Sequence, residues 1–235
     1  MAQNIARRGL LGGGIALLTV LPALAAPNLK IGVIGAGRIG GTLARHWANA
    51  GYKVMISARS LDEVQKLAAE IGHGVTAGTP QQAAAFGDVV LISVPFGALP
   101  QVGKDNAAQL KGKIVLDTCN PYVGRDGEMA KEALEKGTGV VVPTYLPGTR
   151  LVRAFNQVSA AALASEAHRK GEKIGVPLAG DDKAALDVAQ QLVRDAGFDP
   201  VVVGGLSTAK SFDQGTPAYH TLTARELRAI LAIKS

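Results

Sequence analysis

Lys30-Ile31-Gly32-Val33-Ile34-Gly35-Ala36-Gly37-Arg38-Ile39-Gly40-Gly41 is a short apolar run that passes through glycines into an amphipathic stretch. It reads as a strand, a tight turn and the start of a helix. Gly35, Gly37 and Gly40 fit G-x-G-x-x-G, and each has its own task in a dinucleotide site. Gly35 permits the sharp turn out of the strand, Gly37 lets a pyrophosphate approach the backbone, and Gly40 lets the helix pack closely on the sheet. Phosphates held by Gly35, Ala36, Gly37, Arg38, Ile39 and Gly40 would face unpaired N–H groups and the positive end of the helix dipole. The motif alone is weak, and a close-packed turn without ligand is its plainer reading. Context decides: the turn opens the apolar pattern Ile39, Leu43, Trp47, and a second strand follows Gly51.

That second strand, Tyr52 to Ile56, ends in Ser57-Ala58-Arg59-Ser60. A site for NAD places Asp or Glu here to accept hydrogen bonds from the ribose 2′-OH. This chain offers Arg59 instead, flanked by Ser57 and Ser60. A guanidinium pairs with a 2′-phosphate that a carboxylate would repel, so the strand end favours NADP over NAD. Ser60 also fits a capping box with Glu63 at the start of the next helix.

Helices at 61–71 and 80–86, around a short strand near Gly74-Val75-Thr76, complete the first half. Asp88 to Ser93 and Lys113 to Asp117 are continuous apolar strands of the kind covered on both faces. Their carboxyl ends, Val94-Pro95-Phe96 and Thr118-Cys119-Asn120-Pro121-Tyr122, are the expected walls of a nicotinamide pocket, with Asn120 holding a carboxamide or substrate. Turn punctuation is the plainer reading of both prolines. Cys119 has no His in an obvious partner position and reads as a small buried residue. Farther on come a helix to Lys136, the run Val140-Val141-Val142, a Pro/Gly loop from Pro143 to Gly148 and a strand through Asn156. Two more strand and helix pairs follow, then a final helix from Thr223. The fold class is α/β: a Rossmann-type doubly wound, mostly parallel sheet with a small C-terminal α/β lobe.

The 235 residues suffice for one good core, and 47% hydrophobic with 19% charged residues is ordinary for such a domain. Four His without ligand spacing and one Cys exclude a zinc site and a disulfide framework. Arg7-Arg8 precede an uncharged stretch, and Ala23-Leu24-Ala25 matches the signal peptidase pattern. Residues 1–26 read as a cleaved, twin-arginine-like export signal directing the protein to the periplasm; an uncleaved N-terminal membrane anchor is the alternative. Cleavage removes two arginines and no acid from a chain of net charge +6, leaving a mildly basic protein without the basic cluster that nucleic acid requires.

Taken together, Gly-Ala-Gly-Arg-Ile-Gly at 35–40, Ser57-Ala58-Arg59-Ser60, Val94-Pro95-Phe96, Asp117-Thr118-Cys119-Asn120-Pro121, Ala154-Phe155-Asn156, Ala179-Gly180-Asp181-Asp182 and Val203-Gly204-Gly205-Leu206 resemble the coenzyme F-420 (deazaflavin)-dependent NADP reductases. The resemblance implies an NADP-binding Rossmann domain over 27–157 and a small lobe over 158–235 that covers the nicotinamide. It also implies a small-molecule acceptor such as F-420 or a flavin, near Pro121, Asn156 and Leu206, and is compatible with a homodimer. The export signal and the loop at 143–148 depart from the family and leave the acceptor open.

No acid–base triad is legible and no catalytic residue is assigned. Hydride transfer between stacked rings needs positioning above all, whereas alcohol oxidation needs a base. Two other readings stand beside it: an imine reductase resembling pyrroline-5-carboxylate reductase, faintly echoed in Gly215-Thr216-Pro217-Ala218-Tyr219, and a non-catalytic NADP-binding redox sensor.

Overall fold

Side chains in β1 (Lys30–Ile34) alternate across the sheet, so Ile31 and Val33 enter one core while Ile34 enters the other. The structure is a computed structural model of the chain and describes residues 29–233. The export-signal reading of 1–26 lies outside the described residues. Among those described, no helix is long and apolar enough to cross a membrane.

After the glycine turn, α1 (Arg38–Asn49) buries Leu43, Ala44 and Trp47. The Trp47 indole N–H donates to the Leu192 carbonyl at 2.9 Å, so this large core residue leaves no polar atom unpaired. Then β2 (Lys53–Ser57) lies parallel to β1. Ser60 caps α2 (Leu61–Ile71) by accepting the Glu63 N–H, which forms one half of the expected capping box. The short β3 (Thr76–Gly78) falls two residues beyond its expected place, and α3 (Pro80–Phe86) opens on a complete Thr79/Gln82 capping box. The first half closes with β4 (Val89–Ile92), α4 (Leu99–Asp105), α5 (Ala107–Leu110) and β5 (Ile114–Asp117).

In the second half, α6 (Val123–Lys136) is kinked at Gly127, where φ is +59°, and runs into α7 (Thr138–Tyr145). The latter corrects the sequence reading, since the chain is helical through Pro143 where a loop was expected. Its cause lies 75 residues away: Asp213 accepts the Thr138 N–H at 2.8 Å and the Thr138 hydroxyl at 2.6 Å, capping an apolar, β-branched helix that has no local signal of its own. There follow β6 (Arg150–Arg153), α8 (Ala160–Ser165), β7 (Gly175–Gly180), α9 (Lys183–Asp195), β8 (Asp199–Gly204) and α10 (Ala224–Ile230).

The eight strands form one sheet of order β3-β2-β1-β4-β5-β6-β7-β8, parallel except where β6 meets β7. Residues 158–235 thus carry the sheet onward through β7 and β8. The strands β4 and β5 are buried along their whole length, as their apolar runs require. One face is covered by α1, α2, α8 and α9, the other by α3 to α7, while α10 and Phe212 close the far end over β7 and β8.

Packing at β1 leaves no room for a side chain at one point. A Cβ on Gly32 would overlap the Ala83 carbonyl of α3. Gly32→Ala is therefore expected to cost about 1–3 kcal/mol, seen as a lower urea midpoint with an unchanged slope. A second expectation concerns His46 on α1, whose Nε2 pairs with the Leu163 carbonyl at 2.8 Å. Burial holds its pKa below the ordinary 6.5. The unfolded chain takes up a proton there that the folded ring resists, so stability falls as pH drops through 6.5 toward the lowered folded value. His46→Gln should flatten that limb of a stability-against-pH curve.

Candidate active site

The glycine turn is tied down by the end of β2. The Ser57 carbonyl accepts the N–H groups of Gly35 at 3.0 Å and Ala36 at 2.9 Å, while the Ser57 hydroxyl donates to the Val33 carbonyl at 2.8 Å. Each glycine meets a different constraint. Gly35 has φ +98° and a Cβ there would overlap the Ser93 carbonyl; at Gly40 it would overlap the Gly35 carbonyl; at Gly37 nothing lies within 4 Å. Gly37 is the N-cap of α1 without a side-chain cap, and the first turn holds no acid. The helix N-terminus is thereby left to an external anion, and the open space at Gly37 fits a pyrophosphate. Arg38 and Arg59 are exposed, and neither forms an ion pair with another described residue. The residues present thus fit a dinucleotide with an additional phosphate.

Beyond the carboxyl ends of the central strands lies a cleft of about 610 Å³, a volume suited to a cofactor ring and a second ring. It begins at Gly37, Arg38 and Ile39, passes Val94, Pro95 and Asn120, and ends between Phe155-Asn156-Gln157 and Tyr219-His220. Among the described residues its lining contains no Asp, Glu or Lys.

Beneath the cleft floor Arg153 is fully buried. Its Nη1 donates to Asp117 at 2.5 Å and to the Cys119 carbonyl at 2.6 Å; its Nη2 donates to the Asn120 side chain at 2.9 Å and reaches Asp213 at 3.4 Å. Burial works against the Arg153 charge, and the two carboxylates outweigh it, raising its pKa. Burial, with Asp117 adding to it, pushes the Cys119 thiol well up, as suits a core residue and not a nucleophile.

Asn120 also donates to the Asn156 carbonyl at 2.7 Å, so its amide is clamped from both sides. The unused amide oxygens belong to its neighbours. Asn156 donates to the Phe212 carbonyl and Gln157 to the Gly175 carbonyl, yet Oδ1 of the first and Oε1 of the second have no partner among the described residues. A buried acceptor left unpaired costs about 1–3 kcal/mol, which a carboxamide NH₂ in the cleft would recover.

Of the sequence-derived candidates, Gly37, Arg38, Ile39, Val94, Pro95, Asn120 and Asn156 border one cleft. Others point elsewhere. The 3₁₀ turn that begins at Phe96 swings its ring into the core, edge-on to Tyr145 at 6.2 Å. Leu206 packs in the core under α7 with its N–H on Asp181, and Pro121 is buried. Ser57 braces the turn from beneath, and Ser60 is occupied as a helix cap. Gln157 and Arg125 escaped the sequence reading; Tyr122, in the expected strand-end wall, lines the cleft and meets Tyr219 across 97 residues, a pairing with no local signature.

The glycine turn, the opened N-terminus of α1 and the cleft together fit a protein that binds a dinucleotide. Residues 30–121 match the family described as NADP oxidoreductase, coenzyme F420-dependent. The F420-dependent NADP reductase of Methanothermobacter thermautotrophicus is 29% identical over 211 residues, covering 84% of this chain and 90% of the relative. A hypothetical protein of Sinorhizobium meliloti superposes with TM-score 0.68 at 26% identity, over 83% of this chain and 94% of the other. A structure from Arthrobacter sp. FB24, provisionally described as an F420-dependent NADP reductase, gives 0.63 at 22% over 78% and 88%. Solved pyrroline-5-carboxylate and imine reductases share the fold at under 20% identity. The chain is similar to these NADP oxidoreductases, and the family it resembles is that of the F420-dependent NADP reductases.

Arg153 carries the prediction of this site. Arg153→Leu would leave Asp117 and Asp213 facing one another without a cation and should cost about 3–5 kcal/mol in urea unfolding. Adding Asp117→Asn should restore part of that loss.

Proposed function

We propose that the protein transfers hydride between NADP(H) and a flavin-like acceptor of the deazaflavin type. The observation that carries this is the cleft itself, lined by apolar, amide, hydroxyl and aromatic groups with Arg38, Arg125 and His220, and among the described residues by no carboxylate or lysine. NADPH supplies the hydride. The chain supplies position: the α1 N-terminus and Arg38 take the pyrophosphate, Arg59 the 2′-phosphate, and the unpaired oxygens of Asn156 and Gln157 the carboxamide. Val94, Pro95 and Phe155 exclude water from the reacting rings. Holding two reactants in this way accounts for much of a hydride-transfer rate. With residues 1–26 as an export signal, the acceptor is drawn from the periplasm.

An imine reductase is the second reading, supported by Tyr219 of the Gly-Thr-Pro-Ala-Tyr segment standing at the cleft. Spectrophotometric assay of NADPH oxidation with a deazaflavin against 1-pyrroline separates the two. Arg59→Glu should weaken NADPH binding about 10- to 100-fold, the loss of a charge-assisted hydrogen bond, and leave NADH affinity unchanged in a fluorescence titration. Equal effects on both nucleotides would remove Arg59 as the selector.

A further inference from the structure

Two phenols meet at the outer end of the cleft. The hydroxyls of Tyr122, just beyond β5, and Tyr219, in the segment leading to α10, are 3.0 Å apart, and both side chains line the cavity. Each phenol carries one proton, and the contact between them uses only one. The second is free to be donated to a third group. Tyr219 is the more buried partner, whereas Tyr122 is 40% exposed and reaches solvent. The Arg125 guanidinium lies 5.0 Å from the centre of the Tyr122 ring, held by Asp126 at 2.8 and 2.9 Å and by the Asn120 carbonyl at 2.8 Å.

Resting on the hydride-transfer reading above, we infer that Tyr219 is the proton donor to the acceptor and that Tyr122 returns the proton from solvent. As the acceptor carbon gains hydride, its C=X π pair moves onto the heteroatom X, which takes the Tyr219 hydroxyl proton. The Tyr219 oxygen regains a proton from the Tyr122 hydroxyl, and water replaces that one. The sum is NADPH, one solvent proton and the acceptor giving NADP⁺ and the two-electron-reduced acceptor. Burial raises the Tyr219 pKa, so the donor remains protonated at neutral pH. The substrate class is thereby narrowed to acceptors with a carbon conjugated to N or O: deazaflavins, quinones or imines.

The test compares wild type, Tyr219→Phe and Tyr122→Phe in stopped-flow reduction of 5-deazariboflavin by NADPH, in H₂O and D₂O. NADPH affinity is measured in parallel. Tyr219→Phe should slow reduction about 100-fold and abolish the solvent isotope effect while NADPH affinity holds. Tyr122→Phe should slow it less, with NADPH affinity unchanged. A wild-type rate in Tyr219→Phe or in Tyr122→Phe, or a loss of NADPH affinity as large as the loss of rate, would each overturn the assignment. If wild type leaves 5-deazariboflavin unreduced, the deazaflavin reading fails by itself. The same comparison with menadione and 1-pyrroline then decides on Tyr219, since both need the proton.

Discussion

One buried guanidinium organises the half of the molecule that the glycine turn does not reach. Arg153 ends β6 with no access to water, and an isolated charge in such a place would cost several kcal/mol. Its partners come from three stretches of chain. Asp117 closes β5, Asn120 and the Cys119 carbonyl belong to the loop beyond it, and Asp213 belongs to the segment returning from β8. Asp213 in turn caps α7. Two carboxylates around one cation leave an excess of negative charge, which the Thr138 N–H and hydroxyl and the Cys119 N–H offset. The floor of the cleft, the helix beneath it and the segment bearing Tyr219 are therefore fixed by one electrostatic problem and its solution.

What could be read from the residues alone was whatever rests on local constraints. The glycines at 35, 37 and 40 announced a turn whose backbone limits are separate and visible, and the extents of α2, α3 and α8 follow from their own caps and apolar spacing. Features decided at long range were not legible. Nothing near Val140 signals a helix, because the cap is Asp213. Asn120 looked like a free amide until Arg153 and the Asn156 carbonyl claimed both its ends, and the amide oxygens left free lie instead on Asn156 and Gln157. Val94-Pro95-Phe96 read as one pocket wall, yet a single 3₁₀ turn separates Pro95, at the cleft, from Phe96, in the core. Periodicity assigns a residue to a face of the sheet, but beyond the strand end it has no hold on direction.

Phe155 shows what the fold gives up to present those amides. Its φ is +57°, in the left-handed region, which costs a residue with a side chain roughly 1–2 kcal/mol. Glycine would adopt it freely. The ring, however, stands edge-on between Trp47 at 6.3 Å and Phe198 at 6.2 Å, where truncation of a buried Phe costs about 3–5 kcal/mol. Anchorage outweighs strain, and the strained turn delivers Asn156 and Gln157 to the cleft. The aromatic cluster on one face of the sheet thus works as a vice whose jaw is a ligand-binding loop. Drift at Phe198, a residue that lines no part of the cleft, would reach the active site as a change in aim before it was felt as a loss of fold.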